Sequence, residues 1–477
     1  MPKAAALVLF SLAVGIFFSN PTLNAQETGE AIIPADQPVY AEVFSAPEVI
    51  YDYPSRCDEK LQNWLDDRFE NNWLFKHTVS VTGWVEQGLS FNGDRPANSS
   101  NRPVGFNDRA NEYLLNQFYL SFSRKAEFDP YDHGFGFGVD LFWGSDARFT
   151  KAHGLDSSWQ DQHAIYQLSM PQMYLEFYLP YDGGIDVKLG RFYSILGYES
   201  IAAPDNFFYS HSYTFLYGEP FTHTGLLADW HFDDRFSASF GVHNGWNDFN
   251  DPDANPFGLL GGLSFTNDSD SVSIAYAFSW SNESQNLYDR TATGRVPFTT
   301  EGDRFVQSLV ARLRLSEKLT YVFQTDYGTQ SNGAAILNPV TLLPDRLQDA
   351  QWYGINQYLI YKINDRLTAG LRYEWFHDDD GARVPNGQDQ GLAPVANVTA
   401  GTIQRISGLG SIIRKGDYHA VTLGVNWKLR DCLTIRPELR IDISRVRRNM
   451  PPGTNGVFDD LSDNNQVTIS TDVVYRC

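Results

Sequence analysis

From about residue 75 onward, apolar and polar positions alternate in short stretches with a period of two. The clearest stretch runs from Leu433 to Ile443: Leu433, Ile435, Pro437, Leu439, Ile441 and Ile443 point one way, and Thr434, Arg436, Glu438, Arg440 and Asp442 the other. A strand presents successive side chains to opposite faces, so one face here is oily and the other charged. Val272, Ile274, Tyr276, Phe278 and Trp280 oppose a row of Ser and Ala, and Val421, Leu423, Val425, Trp427 and Leu429 oppose Thr422, Gly424, Asn426, Lys428 and Arg430. The pattern predicts sixteen strands, at 75–91, 111–125, 133–149, 168–180, 184–193, 222–232, 235–246, 257–267, 270–283, 304–316, 318–329, 350–363, 366–377, 417–430, 433–446 and 464–476.

The connections alternate as well. Short turns such as Asp233-Asp234, Ser316-Glu317-Lys318, Asn364-Asp365 and Asp431-Cys432 use residues that accept tight hairpin geometry. Between them fall long polar loops, predicted at 92–110, 150–167, 194–221, 247–256, 284–303, 330–349, 378–416 and 447–463. A soluble β-sandwich or propeller does not need a long connection at every second turn. An all-β, closed antiparallel transmembrane β-barrel does: its short turns lie in the periplasm, its long loops outside, and an even strand number brings both ends to one side.

Composition narrows this reading. No segment after the N-terminus offers 18 consecutive apolar residues, so a membrane-embedded form of this chain is built from strands rather than helices. The hydrophobic fraction of 42% is compatible, because a barrel dilutes its lipid-facing residues with lumen-facing ones. The formal charge of −21 argues against nucleic-acid binding.

At the N-terminus, Lys3, the apolar run Ala4–Phe18 and the small residue Ala25 read as a secretory signal peptide over 1–25, with an N-terminal membrane anchor as the rival reading. Residues 26–74 read as a periplasmic leader containing a short amphipathic helix over Cys57–Asn71, with Leu61, Trp64, Leu65 and Phe69 on one face, and 75–477 as the barrel. Cys57, Cys432 and Cys477 allow one disulfide in an oxidising compartment and leave one thiol; spacing does not choose the pair.

The segments Lys188–Glu199, Gly218–Gly225, Gly241–Asn247 and Arg372–Gly381 resemble stretches of the OmpL-like β-barrel porin family. The resemblance covers roughly 70–477 and implies an outer-membrane barrel acting as a porin, with no defined site residues.

Parity assigns the lumen. Asp186, Lys188, Arg312, Arg314, Asp326, Arg372, Glu374, Lys428, Arg436, Glu438, Arg440 and Asp442 are expected to face inward as pore-lining residues. An arginine turned to lipid at mid-depth costs about 2–4 kcal/mol, which fixes the register where such residues stand. Two readings are open for these charges: they order small polar solutes in a hydrated pore, or they pair across strands and hold the wall. The loop 194–221 is expected to act as a constriction, through Glu199, Asp205, Phe207, Phe208, Tyr209 and Tyr213; the alternative is that its aromatics pack on the inner wall. No Ser/His/acid arrangement, metal-ligand spacing or cofactor motif stands out. The expected function is passive diffusion of small hydrophilic solutes through an outer-membrane porin without enzyme chemistry. A structural or adhesive barrel is the alternative, and a barrel enzyme a more distant one. The expected partners are outer-membrane lipid and small polar solutes, with a homotrimer as an assembly the barrel allows.

Overall fold

The computed structural model describes residues 79–126, 133–160, 164–181, 183–250, 257–291, 294–337, 344–384, 415–446, 456–460 and 462–476. The predicted signal peptide, the leader helix Cys57–Asn71, Cys57 and Cys477 lie outside these residues, and with them the question of disulfide pairing.

Sixteen antiparallel strands close into one barrel: β1 Ser80–Asn92, β2 Tyr113–Arg124, β3 Gly134–Gly144, β4 Gln167–Leu179, β5 Ile185–Tyr193, β6 Thr222–His231, β7 Phe236–His243, β8 Gly258–Thr266, β9 Val272–Thr291, β10 Gly294–Ser316, β11 Leu319–Leu337, β12 Pro344–Asn364, β13 Leu367–Asp378, β14 Gly416–Arg430, β15 Leu433–Val446 and β16 Asn465–Arg476. Each strand pairs with its sequence neighbours, and β1 closes the ring on β16 through pairs such as Ser90 with Ser470. Closure leaves no open edge, which satisfies every ladder without water, as a hydrocarbon setting requires.

The two faces separate as parity predicts. On β13–β15, Leu371, Tyr373, Val421, Leu423, Ile441 and Ile443 are exposed on the outside, while Arg372, Glu374, Thr422, Arg440 and Asp442 are buried within. Three glutamines on the outer face find partners there. Tyr113, Tyr276 and Tyr321 donate their hydroxyls to Gln87, Gln307 and Gln357 on adjacent strands at 2.6, 2.8 and 2.9 Å. An amide in an apolar surrounding is costly unless bonded, and a cross-strand tyrosine meets that need while adding its own apolar ring.

Two of the predicted long loops are corrected. Residues 284–303 and 330–349 are largely strand: β9 and β10 stay paired out to Thr291 and Gly294, and β11 and β12 out to Leu337 and Pro344. Beyond the bilayer both faces of a hairpin meet water. The apolar–polar alternation lapses there although the backbone ladder continues, so period alone cannot mark where these strands end.

Candidate pore interior

The connection between β5 and β6, residues 194–221 and here called loop L3, does not stay above the strands it joins. Its residues touch inward-facing positions of β1, β2 and β12–β15, an arc that includes the strands opposite β5 and β6, so the loop crosses the barrel interior. Local chemistry explains part of its shape. Gly197 sits at φ +86, a conformation glycine adopts without strain, and Pro204 opens a short 3₁₀ turn at Ala203–Asp205. A five-residue π-helical turn, Thr214–Gly218, follows.

Wall arginines grip the loop backbone. Arg372 donates to the carbonyl of Ser210 at 2.6 Å and to Glu199 at 2.8 Å. Arg436 donates to the carbonyls of Ala203 and Asn206, both at 2.7 Å, and pairs with Glu86 at 3.0 Å and with Asp472. Arg440 donates to the carbonyl of His211 at 2.8 Å and pairs with Asp442 at 2.8 Å and Glu374 at 2.9 Å. Wall acids complete the grip from the other side. Glu438 accepts the backbone amides of Tyr209 and Ser210 at 3.1 and 3.2 Å, Glu374 that of Tyr213 at 2.5 Å, and Asp442 the Tyr213 hydroxyl at 2.7 Å. Irregular backbone can lie at membrane depth only where protein satisfies its polar groups, and this wall supplies partners of both signs.

Aromatic residues fill the space between. Phe207 and Phe208 pack together at 4.8 Å and are buried with Tyr198, Val322 and Tyr358. Tyr213, Phe215, Leu216, Tyr217 and Phe221 join a larger apolar cluster fed by other long connections, through Phe106, Phe149, Trp246, Val384 and Phe458. The wall is recessed to receive the loop. A Cβ at Gly88 would meet the Tyr209 ring at 2.5 Å, and one at Gly424 the Phe208 ring at 2.9 Å; Gly354 and Gly370 likewise face Thr214 and Phe207.

The twelve expected lining residues fall into two sets. Arg372, Glu374, Arg436, Glu438, Arg440 and Asp442 are buried beneath L3, and Asp326 is buried beside Gln324 and Ser308 at 2.9 and 2.8 Å. Asp186, Lys188, Arg312, Arg314 and Lys428 stand near the short-turn end and are only half-buried. Of the expected loop residues, Glu199, Phe207, Phe208, Tyr209 and Tyr213 meet the wall, and Asp205 lies in the 3₁₀ turn. Absent from the expected site residues are Glu86, Asp472, Glu219, Gln324, Asn356 and Trp352. Asp472 and Glu86 were within reach of the same parity argument, since they alternate with Thr471 and Val473, and with Val85 and Gln87. For Glu219, whose partner Gln324 is remote in sequence, no local signal exists.

Glu199 carries the clearest electrostatic signature. Burial pushes its carboxyl up, but the Arg372 guanidinium and the His211 ring outweigh burial and hold it at about 2, below the ordinary 4.5. The ionised form is therefore the one that tethers the loop, and its contribution is full above the ordinary value and lost as pH falls through about 2. Channel conductance is expected to rise between about pH 4.5 and 2 as L3 loosens, and Glu199→Gln is expected to show the raised conductance at neutral pH with no further acid step from this group. A wild-type conductance that stays flat through this window contradicts the assignment. Glu219 behaves oppositely: burial and the neighbouring Asp326 carboxylate push it well up.

A family model described as "Putative beta-barrel porin-2, OmpL-like" matches residues 78–476. The chain belongs to this family. Similar solved structures include OprB of Pseudomonas putida, with a TM-score of 0.51 and 12% identity over 86% of this chain and 97% of that one. The outer-membrane channel DcaP of Acinetobacter baumannii gives a TM-score of 0.49 and 9% identity over 84% and 97%. At 12% identity the likeness to OprB speaks for the barrel fold alone. Among curated proteins, none matches the chain. Membership makes this OmpL-like protein an outer-membrane porin.

Proposed function

We propose that this porin passes small hydrophilic solutes by passive diffusion along a water-filled, mixed-charge path narrowed by L3. The observation that carries the reading is the placement of one long aromatic loop across the interior of a closed barrel, pinned there by charges of both signs. A structural barrel needs no such insert, and an adhesive one would hold its long connections outward. Residues 1–25 then act as an export signal that is removed, and 26–74 remain as a periplasmic segment ahead of the barrel.

The test is single-channel recording on the full chain in planar bilayers. Discrete, ohmic conductance steps are expected, with a size that grows when the L3 tethers are cut. Folded, inserted barrel that gives no conductance steps would remove the channel reading and leave the fold intact. Recordings in salts of unequal ion mobility would then report charge preference.

A further inference from the structure

Burial separates the charges that hold L3 from those that water can reach. Arg372, Glu374 and Arg440 are 0% exposed and held by loop and wall partners, so they are out of a solute's reach. Near the short-turn mouth the side chains of Asp186, Arg312 and Arg314 keep 28, 20 and 34% of their surface. These accessible charges are not mixed around the ring; they are sorted by sign.

On β4–β6 the half-buried inward residues Glu176, Asp186 and Asp229 form an acidic stretch. Lys188 stands among them, with its ammonium 5.2 Å from the Tyr174 ring centre, and His231 pairs with Asp186 at 3.1 Å. On β10–β14 the inward residues at the same end are Arg312, Arg314 and Lys428, with Lys362 of β12 between them. Asp270, in the turn after β8, bridges Arg312 and Arg314 at 2.6 Å each, and Asp365 in the turn between β12 and β13 contacts Lys362 at 2.9 Å. Among these residues three carboxylates stand against one ammonium on the first wall, and four cations against two carboxylates on the second. In a closed ring of sixteen strands β4 lies opposite β12 and β6 opposite β14, so Lys362 and Lys428 face the acidic stretch across the opening, while Arg312 and Arg314 on β10 stand a quarter of the ring away from Asp229 on β6.

We propose that the solutes this porin favours are small zwitterions, aligned at the short-turn mouth between an acidic wall (Glu176, Asp186, Asp229) and a basic wall (Arg312, Arg314, Lys428). This rests on the channel reading above and names its substrate class. Opposed charges around an aqueous opening with low-dielectric walls set up a transverse field. A molecule carrying both an ammonium and a carboxylate lowers its energy by turning each end to the matching wall. A neutral solute of the same size gains nothing, and an ion of either sign is drawn to one wall and repelled by the other. Hydrated side chains of this kind interact weakly, so the effect is a preference and not a filter.

The test is liposome swelling with full-chain protein, comparing γ-aminobutyrate with neutral erythritol. The zwitterion is expected to permeate about threefold faster than erythritol, in line with the weak coupling of water-exposed charges. Asp186→Asn with Asp229→Asn should bring the ratio close to one. A sign-inverted variant, in which Asp186→Lys and Asp229→Lys are combined with Arg312→Glu and Arg314→Glu, should keep a ratio above one, because inverting the field leaves its strength; a merely structural role for these residues would not predict that retention. Equal rates for the two solutes in the native protein overturn the proposal while sparing the channel reading, as does an undiminished ratio in the Asn variant. No swelling with either solute from folded barrel defeats the channel reading and the proposal with it.

Discussion

Arg440→Ala is expected to cost about 3–5 kcal/mol, the range for removing one partner of a buried ion pair. The side chain is fully buried and holds Asp442 at 2.8 Å, Glu374 at 2.9 Å and the His211 carbonyl at 2.8 Å, with its guanidinium 4.9 Å from the Tyr213 ring centre. Truncation strands two carboxylates that water does not reach, and the penalty is mostly theirs. The barrel wall is closed by its own ladders, so the loss should fall on the docking of L3. Expected readouts are a lowered midpoint in chemical unfolding and a larger, noisier single-channel conductance. A combined variant, Arg440→Met with Glu374→Gln and Asp442→Asn, removes the charges together and should recover much of the stability, because neutralising a whole buried cluster avoids leaving one sign uncompensated. If the alanine variant matches wild type in both measurements, the guanidinium is not what holds the loop.

The second large effect lies one residue away from an inward arginine, on the opposite face. Leu371→Arg should destabilise the membrane-inserted barrel by about 2–4 kcal/mol. Leu371 is exposed on the outer surface beside Leu359 and Leu423, its partners on the flanking strands, whereas Arg372 is 0% exposed inside. Equilibrium unfolding in vesicles gives the difference directly. A change below about 0.5 kcal/mol would mean that this face does not meet hydrocarbon at depth.

How much of this was legible follows from where each signal is stored. The strand count and facing come from a local property, the period of two, and it survives wherever one side of the wall meets lipid. Ile435 and Arg436 announce their opposite directions to anyone who counts. That property ends at the bilayer surface, which is why the outer parts of β9–β12 carry no strand signal in the sequence. The charges of β13–β15 were recognisable as inward, but not their partners. The sequence separation between Arg440 and His211 is 229 residues, and nothing near either position encodes the meeting. The division between buried anchors and water-reached charges at the short-turn end is likewise invisible until L3 is placed. Arg372 and Arg312 look alike in an alternating strand, and only the loop lying over one of them makes them different.

The recesses at Gly88, Gly354, Gly370 and Gly424 carry one more consequence. At these points the breadth of the passage is governed from behind, by wall positions that lack a side chain and let an aromatic or hydroxyl group sink into the barrel lining. A single methyl added at any of them displaces the seated group toward the axis. The aperture can therefore be trimmed in increments of about one carbon atom without touching a charge, and selectivity by size and selectivity by field are written in separate alphabets on the same staves.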